Sequence, residues 1–235
     1  MSVKFAILAA GEGSRLAQEG VKLPKPLVEI NGEKMIDRLI RIFLANGANE
    51  IDIITNDLTP LTQNHITELQ DKGLPIRLVV KSTPSSMHSF YELEHLLGEG
   101  KFCLTTVDTI FDEQEFSEYI SEFQKFDGDG VMSVTGYIDD ESPLYISVDE
   151  DGIITDFKDV DDNPKYISGG IYCLDERAFG VLNQCVLEGQ SRMRNFQRAL
   201  VKNGARLKAY RFSKILDVDH KADIQKAEEF LNSRL

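Results

Sequence analysis

The chain of 235 residues has no tryptophan and only three cysteines, which stand singly at Cys103, Cys173 and Cys185. Without a CxxC pair or an even set, they predict neither a disulfide framework nor a typical zinc site, and we expect them in the core. No apolar run reaches the roughly 18 residues that a membrane-spanning helix needs. Residues 1–10 also lack the pattern of a secretory signal. These absences predict a cytoplasmic protein with no membrane partner.

Basic residues are scarce as well, with 26 Lys and Arg against 39 Asp and Glu, a net charge of −13. Such acidity disfavours nucleic acid as a partner. The deficit is local, because residues 108–162 contain 18 of the acids and two bases, and we expect them to form mostly the surface of an insertion. The rest of the chain has a net charge of +3, and residues 189–216 contain eight bases and no acid. The charge therefore excludes nucleic acid polymers but not small anions such as nucleotides.

Hydrophobic runs alternate with helical patterns along most of the chain. Strand-like runs predict strands at 3–10, 50–55, 76–81, 102–107, 130–138, 145–148, 153–157, 166–174 and 206–212. Helical spacing predicts helices at 35–44, 62–72, 86–97, 178–187, 193–203 and 222–231. This alternation predicts an α/β fold with a doubly wound, mostly parallel (Rossmann-like) sheet and a β-rich insertion after the fourth strand. Because no repeat or linker divides the chain, we expect a single domain over residues 1–235.

A glycine-containing loop follows the first predicted strand. Its residues are Ala10, Gly11, Glu12, Gly13, Ser14 and Arg15. Small residues after a buried strand let the backbone approach a ligand, and exposed amides there can bind phosphate. The loop is not a GxGxxG fingerprint, which would need glycine in place of Leu16, and it is not a Walker A motif. A tight strand-to-helix turn explains the two glycines equally well.

Lys25 stands between two prolines, Pro24 and Pro26. The prolines restrict the backbone on both sides of the lysine, and Pro26 favours extended φ/ψ angles for Lys25. The lysine follows Arg15 by ten residues. Two cations beside a glycine loop suit the binding of a polyphosphate.

The segments LAAGEGSRL at 8–16 and PKPLVEINGEKMID at 24–37 resemble the signature of the sugar-phosphate nucleotidyltransferases. The chain departs from that signature at Gln18 and Gly20, where many members have Pro and Thr. The resemblance implies a Mg²⁺-dependent enzyme that joins an NTP to a phosphorylated small-molecule acceptor, a sugar 1-phosphate, and releases pyrophosphate. It also implies that residues 10–15 bind the nucleotide and that Arg15 and Lys25 are catalytic.

The predicted metal ligands are aspartates in two segments of the chain. Asp108 ends the fourth predicted strand, at the edge where such sheets bind ligands, and Mg²⁺ takes one or two carboxylates together with phosphates. The resemblance implies that Asp108 and Asp217 hold Mg²⁺, with Asp219 as the alternate ligand, although Asp219 could instead cap the last helix. Val107 stands where the family usually has glycine before the first aspartate.

The resemblance also implies that Lys158, Gly169 and Gly170 contact the acceptor. Phe157 and Asp159 replace the glutamate and proline that often flank this lysine in the family, so the acceptor stays open. One alternative is a phosphocholine cytidylyltransferase-like enzyme, whose acceptor would need an aromatic or acidic cage, with Tyr91, Tyr145 and Tyr172 as candidates. Another alternative is a non-catalytic nucleotide-binding regulator. The nucleobase and the formation of a homo-oligomer also stay open.

Overall fold

The computed structural model describes residues 3–139, 141–161 and 163–234. The strands are β1 (Lys4–Ala9), β2 (Glu29–Ile30), β3 (Glu33–Lys34), β4 (Ile51–Thr55), β5 (Ile76–Val80), β6 (Lys101–Thr106), β7 (Thr109–Phe111), β8 (Gly130–Thr135), β9 (Tyr145–Val148), β10 (Ile154–Lys158), β11 (Tyr166–Asp175), β12 (Leu207–Phe212) and β13 (Ile215–Asp217). The helices are α1 (Ser14–Gln18), α2 (Met35–Ala45), α3 (Pro60–Asp71), α4 (Ser86–Leu97), α5 (Glu113–Lys125), α6 (Arg177–Leu187), α7 (Met193–Lys202) and α8 (Lys221–Asn232), and a short 3₁₀-helix covers Lys25–Leu27.

Four parallel strands form one side of the main sheet, in the order β6-β1-β4-β5, with β5 at its edge. Strand β1 is buried on both faces: Phe5 and Ile7 pack into the core beneath α2, α3 and α5, whereas Ala6 and Leu8 pack into the core beneath α4, α6 and α7. Alternate residues of a strand point to opposite faces, so a continuous apolar run supplies both cores. The predicted doubly wound arrangement is confirmed.

The β-rich segment after the fourth predicted strand continues the same sheet. Strand β11 runs antiparallel to β6 and also pairs with β8 and β9. Strands β9 and β10 form the predicted hairpin, and β12 lies parallel to β8. The predicted α/β class, with this segment following the parallel strands, is therefore confirmed.

Helix α5 corrects the expectation that residues 108–162 are mostly insertion surface. The Asp112 carboxylate accepts a hydrogen bond from the Glu115 amide at 2.9 Å and caps the helix. Phe116, Tyr119 and Phe123 lie fully buried along one face, with helical spacing. The glutamates of α5 lie outside this buried face, so the high charge conceals a helix that belongs to the core.

Small elements at the carboxyl edge of the parallel strands tie together distant parts of the chain. Strand β13 pairs antiparallel with β7, and β2 pairs with β3. A third apolar cluster joins Leu16 of α1, Val218 and Phe230 of α8. The sequence pattern predicts none of these short strands, yet they determine where the predicted site residues meet.

The cysteines and the helix lengths agree with the absences in the sequence. All three cysteines are free thiols in buried positions, as predicted. In the described part of the chain, no helix combines the length and apolarity that crossing a membrane requires.

Candidate functional site

The glycine loop runs from the end of β1 to the start of α1 and lies against Lys25. Gly13 has a φ of +63°, in the left-handed region that favours glycine, and a Cβ there would lie 2.9 Å from the Lys25 Cβ. A Cβ on Gly11, in contrast, would meet no described atom within 4 Å. The Asn56 side chain donates hydrogen bonds to the carbonyl oxygens of Ala10 and Gly11, at 3.1 and 3.2 Å. The turn geometry thus accounts for Gly13, whereas Gly11 borders open space.

Lys25 begins the 3₁₀-helix, so the prediction that Pro26 holds it in an extended conformation is wrong. The Leu27 amide donates to the Pro24 carbonyl at 2.8 Å, and the Val28 amide donates to the Lys25 carbonyl at 3.1 Å. Pro26 is tolerated because the first turn of a helix does not use its missing N–H group. Pro26 and Leu27 are buried and anchor the turn. The prolines do fix Lys25, but within a turn.

The Lys25 ammonium joins two carboxylates from opposite ends of the sequence. Its Nζ donates hydrogen bonds to Asp108 Oδ2 and, at 2.7 Å, to Asp219 Oδ1. Arg15 Nη1 donates to Asp219 Oδ2 at 2.9 Å. The side chain of Lys25 is 10% exposed, against 53% for Arg15, so this ion-pair cluster of Arg15, Lys25, Asp108 and Asp219 runs from the interior to the surface. Two cations balance two carboxylates within it.

Mutual attraction keeps Lys25 and Asp108, the inner pair of the ion-pair cluster, charged. Burial disfavours the charged form of Lys25, but Asp108 and then Asp219 outweigh that effect and raise its pKa above the ordinary lysine value. Burial likewise opposes ionisation of Asp108, but the charge and hydrogen bond of Lys25, helped by the Thr106 hydroxyl, lower the pKa of Asp108. Both groups are therefore ionised at neutral pH.

Pairing between β7 and β13 brings the two aspartate segments together. Asp217 stands opposite Thr109 in the register, and the Val218 amide donates to the Asp108 carbonyl at 3.1 Å. Helix α8 begins after His220, whose amide donates to Asp223 Oδ2 at 2.8 Å. The reading of Asp219 as the cap of the last helix is therefore wrong, and its carboxylate contacts Lys25 and Arg15 instead.

Asp217 is exposed and faces the site from a different side than Asp219. A Cβ on Gly170, where φ is +75°, would lie 3.9 Å from Asp217 Oδ1 and 3.2 Å from Thr109 Oγ1. Asp217 Oδ1 and the hydroxyl pair of Thr106 and Thr109, whose Oγ1 atoms are 2.7 Å apart, therefore border the same side of Gly170. Asp219, the alternate metal ligand of the sequence prediction, is the carboxylate that shares a cation with Asp108.

Two cavities meet at the ion-pair cluster. The glycine-loop cavity, of about 490 Å³, is lined by Leu8, Ala10, Gly11, Glu12, Gly13, Ser14, Arg15, Lys25, Thr83, Pro84, Ser85, Ser86, Ser89, Thr106, Val107, Asp108 and Asp219. The α8 cavity, of about 380 Å³, is lined by Arg15, Thr135, Tyr137, Asp139, Glu141, Ile167, Ser168, Gly169, Ile215, Leu216, Asp217, Asp219, His220, Ala222, Asp223 and Lys226. Both volumes fall in the range of small-molecule sites. Arg15 and Asp219 line both cavities.

The structure brings together most, but not all, of the predicted site residues. The predicted nucleotide-binding and catalytic residues line the glycine-loop cavity with Asp108. Gly169 lines the α8 cavity, where a Cβ would lie 2.3 Å from Ile215 Cδ1 and 2.8 Å from Ser133 Oγ. Lys158 ends β10 as an exposed residue and is not among the described residues that line either cavity.

Sequence reasoning missed three residues that shape the site. Asn56 and Thr106 stand at the carboxyl ends of β4 and β6, the edge where ligands bind in such sheets, and that position was the available signal. Arg38 of α2 is buried, and its Nη2 donates to the Phe111 carbonyl at 2.6 Å. Arg38 therefore supports β7, which follows Asp108. Nothing in the spacing of α2 marks this arginine.

Two carboxylates of the ion-pair cluster are of the ligand type that a divalent metal ion uses together with phosphate. Across residues 3–139, 141–161 and 163–234, no group of three or more His, Cys, Asp and Glu side chains is arranged to hold a metal ion. Asp108 and Asp219 nevertheless converge on one ammonium, so their oxygens can share a single cation. Carboxylate oxygens are the ligands that Mg²⁺ prefers, with phosphate oxygens completing its coordination.

Comparisons with known proteins identify a family and several relatives of this chain. The family model described as Nucleotidyl transferase matches residues 4–234. The chain is 33% identical over 138 residues to the mannose-1-phosphate guanyltransferase of Hypocrea jecorina, covering 57% of this chain and 37% of that protein. It is 28% identical over 111 residues to the N-acetylmuramate alpha-1-phosphate uridylyltransferase of Caulobacter vibrioides, covering 46% of each. The chain thus spans less than half the length of both curated relatives. The solved inositol-1-phosphate CTP transferase from T. maritima has the same fold, with a TM-score of 0.83 at 19% identity over 98% of this chain and 95% of that one.

Proposed function

Because the chain belongs to the nucleotidyltransferase family, we propose that it couples an NTP to a phosphorylated small molecule, of the sugar 1-phosphate class, and releases pyrophosphate. The observation that carries the proposal is the position of Lys25, which joins Asp108 and Asp219 at the border of the glycine-loop cavity. Both curated relatives are named as enzymes of nucleotidyl transfer to a sugar phosphate, which supports the same chemistry for this chain.

The proposed step is an in-line displacement at the α-phosphorus of the NTP. An oxygen of the acceptor phosphate forms the new bond to the α-phosphorus. The bond to the oxygen that bridges the α- and β-phosphorus atoms breaks, and pyrophosphate leaves with the electron pair. The attacking phosphate is already ionised near neutral pH, so no protein base has to remove a proton. The main obstacle is repulsion between two anions, which calls for positioning and positive charge.

We expect the glycine-loop cavity to supply both the positioning and the positive charge. Residues 10–15 would bind the triphosphate through their amides, with Arg15 on the leaving pyrophosphate. Lys25 would bridge the α-phosphate and the acceptor phosphate. In the structure these two cations bind Asp219, and Lys25 also binds Asp108, so nucleotide binding would exchange carboxylate partners for phosphate partners. Such an exchange keeps each cation paired and already near its place of action.

Asp108 and Asp219, with Asp217 as the further candidate, would hold Mg²⁺. When bound, the metal neutralises phosphate charge and so lowers the repulsion between the two substrates. The protein contributes the paired backbone of β7 and β13, which places the carboxylates on both sides of Lys25. Gly169 lines the α8 cavity, from which the acceptor would approach.

Pyrophosphate release tests the proposal, measured with Mg²⁺ for each common NTP against a panel of phosphorylated acceptors. We expect release that requires both substrates. Lys25→Ala and Asp108→Asn should each lower kcat by at least about a hundredfold at a temperature where all variants stay folded. Lys72→Ala is the matched control, because this exposed lysine ends α3 and is not among the described residues that line either cavity. Rates near wild type in both variants, or no release with any pair, would contradict the proposal.

A further inference from the structure

We propose that Gln197 of α7 is a positioning residue for the acceptor, because it holds the segment of β11 that forms part of the wall of the α8 cavity. The inference rests on the proposed function. Gln197 is not among the described residues that line either cavity. It acts instead through Ser168, which lines the α8 cavity beside Gly169.

Strand β11 has a bulge where it passes the site. In its pairing with β8, Ser168 stands opposite Val134, whereas Tyr172 stands opposite Met132. Strand β11 therefore has two more residues than β8 across this interval. A bulge bends its strand and changes the direction in which the residues point, and bulges are common beside active sites. The bulge of β11 thus sets the shape of the cavity wall.

The other edge of β11 changes its neighbour at the same place. Strand β11 pairs with β9 as far as Ile167 and with β6 from Ile171 onward. Residues 168–170 span the change from one neighbour to the other. Within them, Gly170 has a φ of +75°, and a Cβ there would lie 3.9 Å from Asp217 Oδ1. The bulge therefore brings this piece of backbone against the proposed site.

Two buried polar side chains hold the two ends of the bulge. At one end, Ser133 Oγ accepts a hydrogen bond from the Ile171 amide at 3.1 Å and donates one to the Ile171 carbonyl at 3.0 Å. At the other end, the Ser168 hydroxyl donates to Gln197 Oε1 at 3.1 Å. Ser133 belongs to β8, which already pairs with β11, whereas Gln197 belongs to a helix. Gln197 therefore supplies a contact that the sheet itself does not.

The surroundings of Gln197 in α7 are apolar. Gln197 is 2% exposed, and Met193, Phe196 and Leu200 are buried with it and belong to the core beneath α4, α6 and α7. A buried amide costs free energy unless it is hydrogen bonded, so packing alone would favour an apolar residue at this position. The hydrogen bond to Ser168 is what glutamine contributes here and methionine would not.

Loss of this hydrogen bond should affect the acceptor and not the NTP. Ile167, Ser168 and Gly169 of β11 line the α8 cavity, whereas none of the described residues that line the glycine-loop cavity belongs to β11. Without its partner, the Ser168 end of the bulge can shift and fit the acceptor less well. A contact that is lost equally in the bound and transition states raises KM and leaves kcat unchanged.

Gln197→Met tests the inference on the full chain, because methionine is of similar size and suits apolar neighbours. The readout is steady-state pyrophosphate release with the pair of NTP and acceptor that the wild type turns over fastest. We expect the KM for the acceptor to rise about fivefold to tenfold, the range of one hydrogen bond. The kcat and the KM for NTP should stay within about twofold, and the midpoint of thermal unfolding within about 3 °C. Gln184→Met, at an exposed position of α6, is the matched control and should keep the wild-type values.

A double-variant cycle links the effect to the hydrogen bond. Ser168→Ala alone should raise the KM for the acceptor by a similar factor, and adding Gln197→Met to it should change that KM by less than about twofold, because the bond is already absent. An unchanged KM for the acceptor in either single variant, equal rises for both substrates, or a further several-fold rise in the double variant would overturn the inference and leave the proposed function standing. A complete lack of pyrophosphate from the wild type with every NTP and acceptor would remove both.

Discussion

The two cavities that meet at Arg15 and Asp219 differ in how the chain builds them. The glycine-loop cavity combines short contiguous segments at the carboxyl ends of β1 and β6 with the Lys25 turn, and Lys25 neutralises its inner carboxylates. The α8 cavity takes its described lining from Arg15 and from positions within 135–139, at 141, within 167–169 and within 215–226, and this lining has an excess of negative charge. Under the proposed function, the glycine-loop cavity would bind the phosphates, and the α8 cavity would bind the part of the acceptor that carries no phosphate.

The largest difference is expected between substitutions of Asp217 and Asp219, the two aspartates at the end of β13 and just after it. We expect Asp219→Asn to lower kcat by at least about a hundredfold, because Asp219 shares the cation that Asp108 binds. Asp217→Asn should act mainly on the acceptor, raising its KM by about tenfold. Steady-state pyrophosphate release at several Mg²⁺ concentrations measures both effects. The reverse ranking would assign the metal to Asp217, as the sequence resemblance implies. It would also contradict the expectation that the two cavities bind different parts of the substrates.

Lys25 and Lys226 provide the next contrast, in stability. Lys25→Met should lower the free energy of unfolding by about 2 kcal/mol at pH 7, because it leaves two carboxylates, one of them largely buried, without their cation. Lys226→Met, which affects a more exposed ion pair in the α8 cavity, should cost less than about 1 kcal/mol. Urea unfolding of the two variants measures the difference, and equal losses would contradict it.

The sign of the pH dependence follows from Asp108. Lys25 lowers the pKa of Asp108 below its unfolded value, so the resulting stability is present above about pH 4 and disappears as the pH falls through the folded pKa. The gap between wild type and Lys25→Met should therefore be widest near neutral pH and close toward pH 3. A gap that does not change between pH 7 and pH 3 would show that the ion pair is not its cause.

Two glycines allow each cavity wall to be altered separately. Gly13→Ala forces an alanine into the left-handed region and against Lys25, and we expect a loss of about 1–2 kcal/mol with a raised KM for NTP. Gly169→Ala collides with Ile215 and should cost a similar amount, with a raised KM for the acceptor. Gly180→Ala is the control, because a Cβ there meets no described atom within 4 Å. Thermal unfolding and KM values for both substrates test this split, and identical kinetic changes would argue against separate walls.

Arg15 lines both cavities and should have the smallest effect on stability. Its ion pair with Asp219 is exposed, so Arg15→Gln should change the free energy of unfolding by less than about 0.5 kcal/mol at physiological salt. Its role in binding pyrophosphate should instead appear as a several-fold rise in the KM for NTP. A loss of stability comparable with that of Lys25→Met would contradict this expectation and would show that the ion pair of Arg15 stabilises the fold.

The parts of the site that are predictable from sequence are those in which neighbouring residues do the work. The apolar run before Ala10, the two glycines and the Pro-flanked Lys25 identify the glycine-loop cavity, because backbone conformation and strand burial are local properties. Asp108 follows from its position at the end of a strand. The extended conformation expected for Lys25 is wrong because buried neighbours and two hydrogen bonds outweigh the local preference before proline.

Other features of the structure are not predictable from the sequence, because their pattern is too weak or because the interacting residues are far apart in the chain. Helix α5 has a regular apolar face, but the acids around Phe116 and Tyr119 conceal it. Strands β7 and β13 have three residues each, too few for a periodic signal. Resemblance alone places Lys158 at the acceptor, and the structure leaves it exposed at the end of β10, away from both cavities.

The sequence alone therefore determines the α/β framework and the phosphate-binding edge, since hydrophobic period, glycine and proline act over a few residues. The tertiary structure decides which of Asp217 and Asp219 meets Asp108, and it decides the charge of the α8 cavity. Both depend on pairing β13 with β7 across more than a hundred residues, and on helix α8 bringing Asp223 and Lys226 against Asp139. Electrostatic interactions act through space, and only the folded chain sets the distances between these groups.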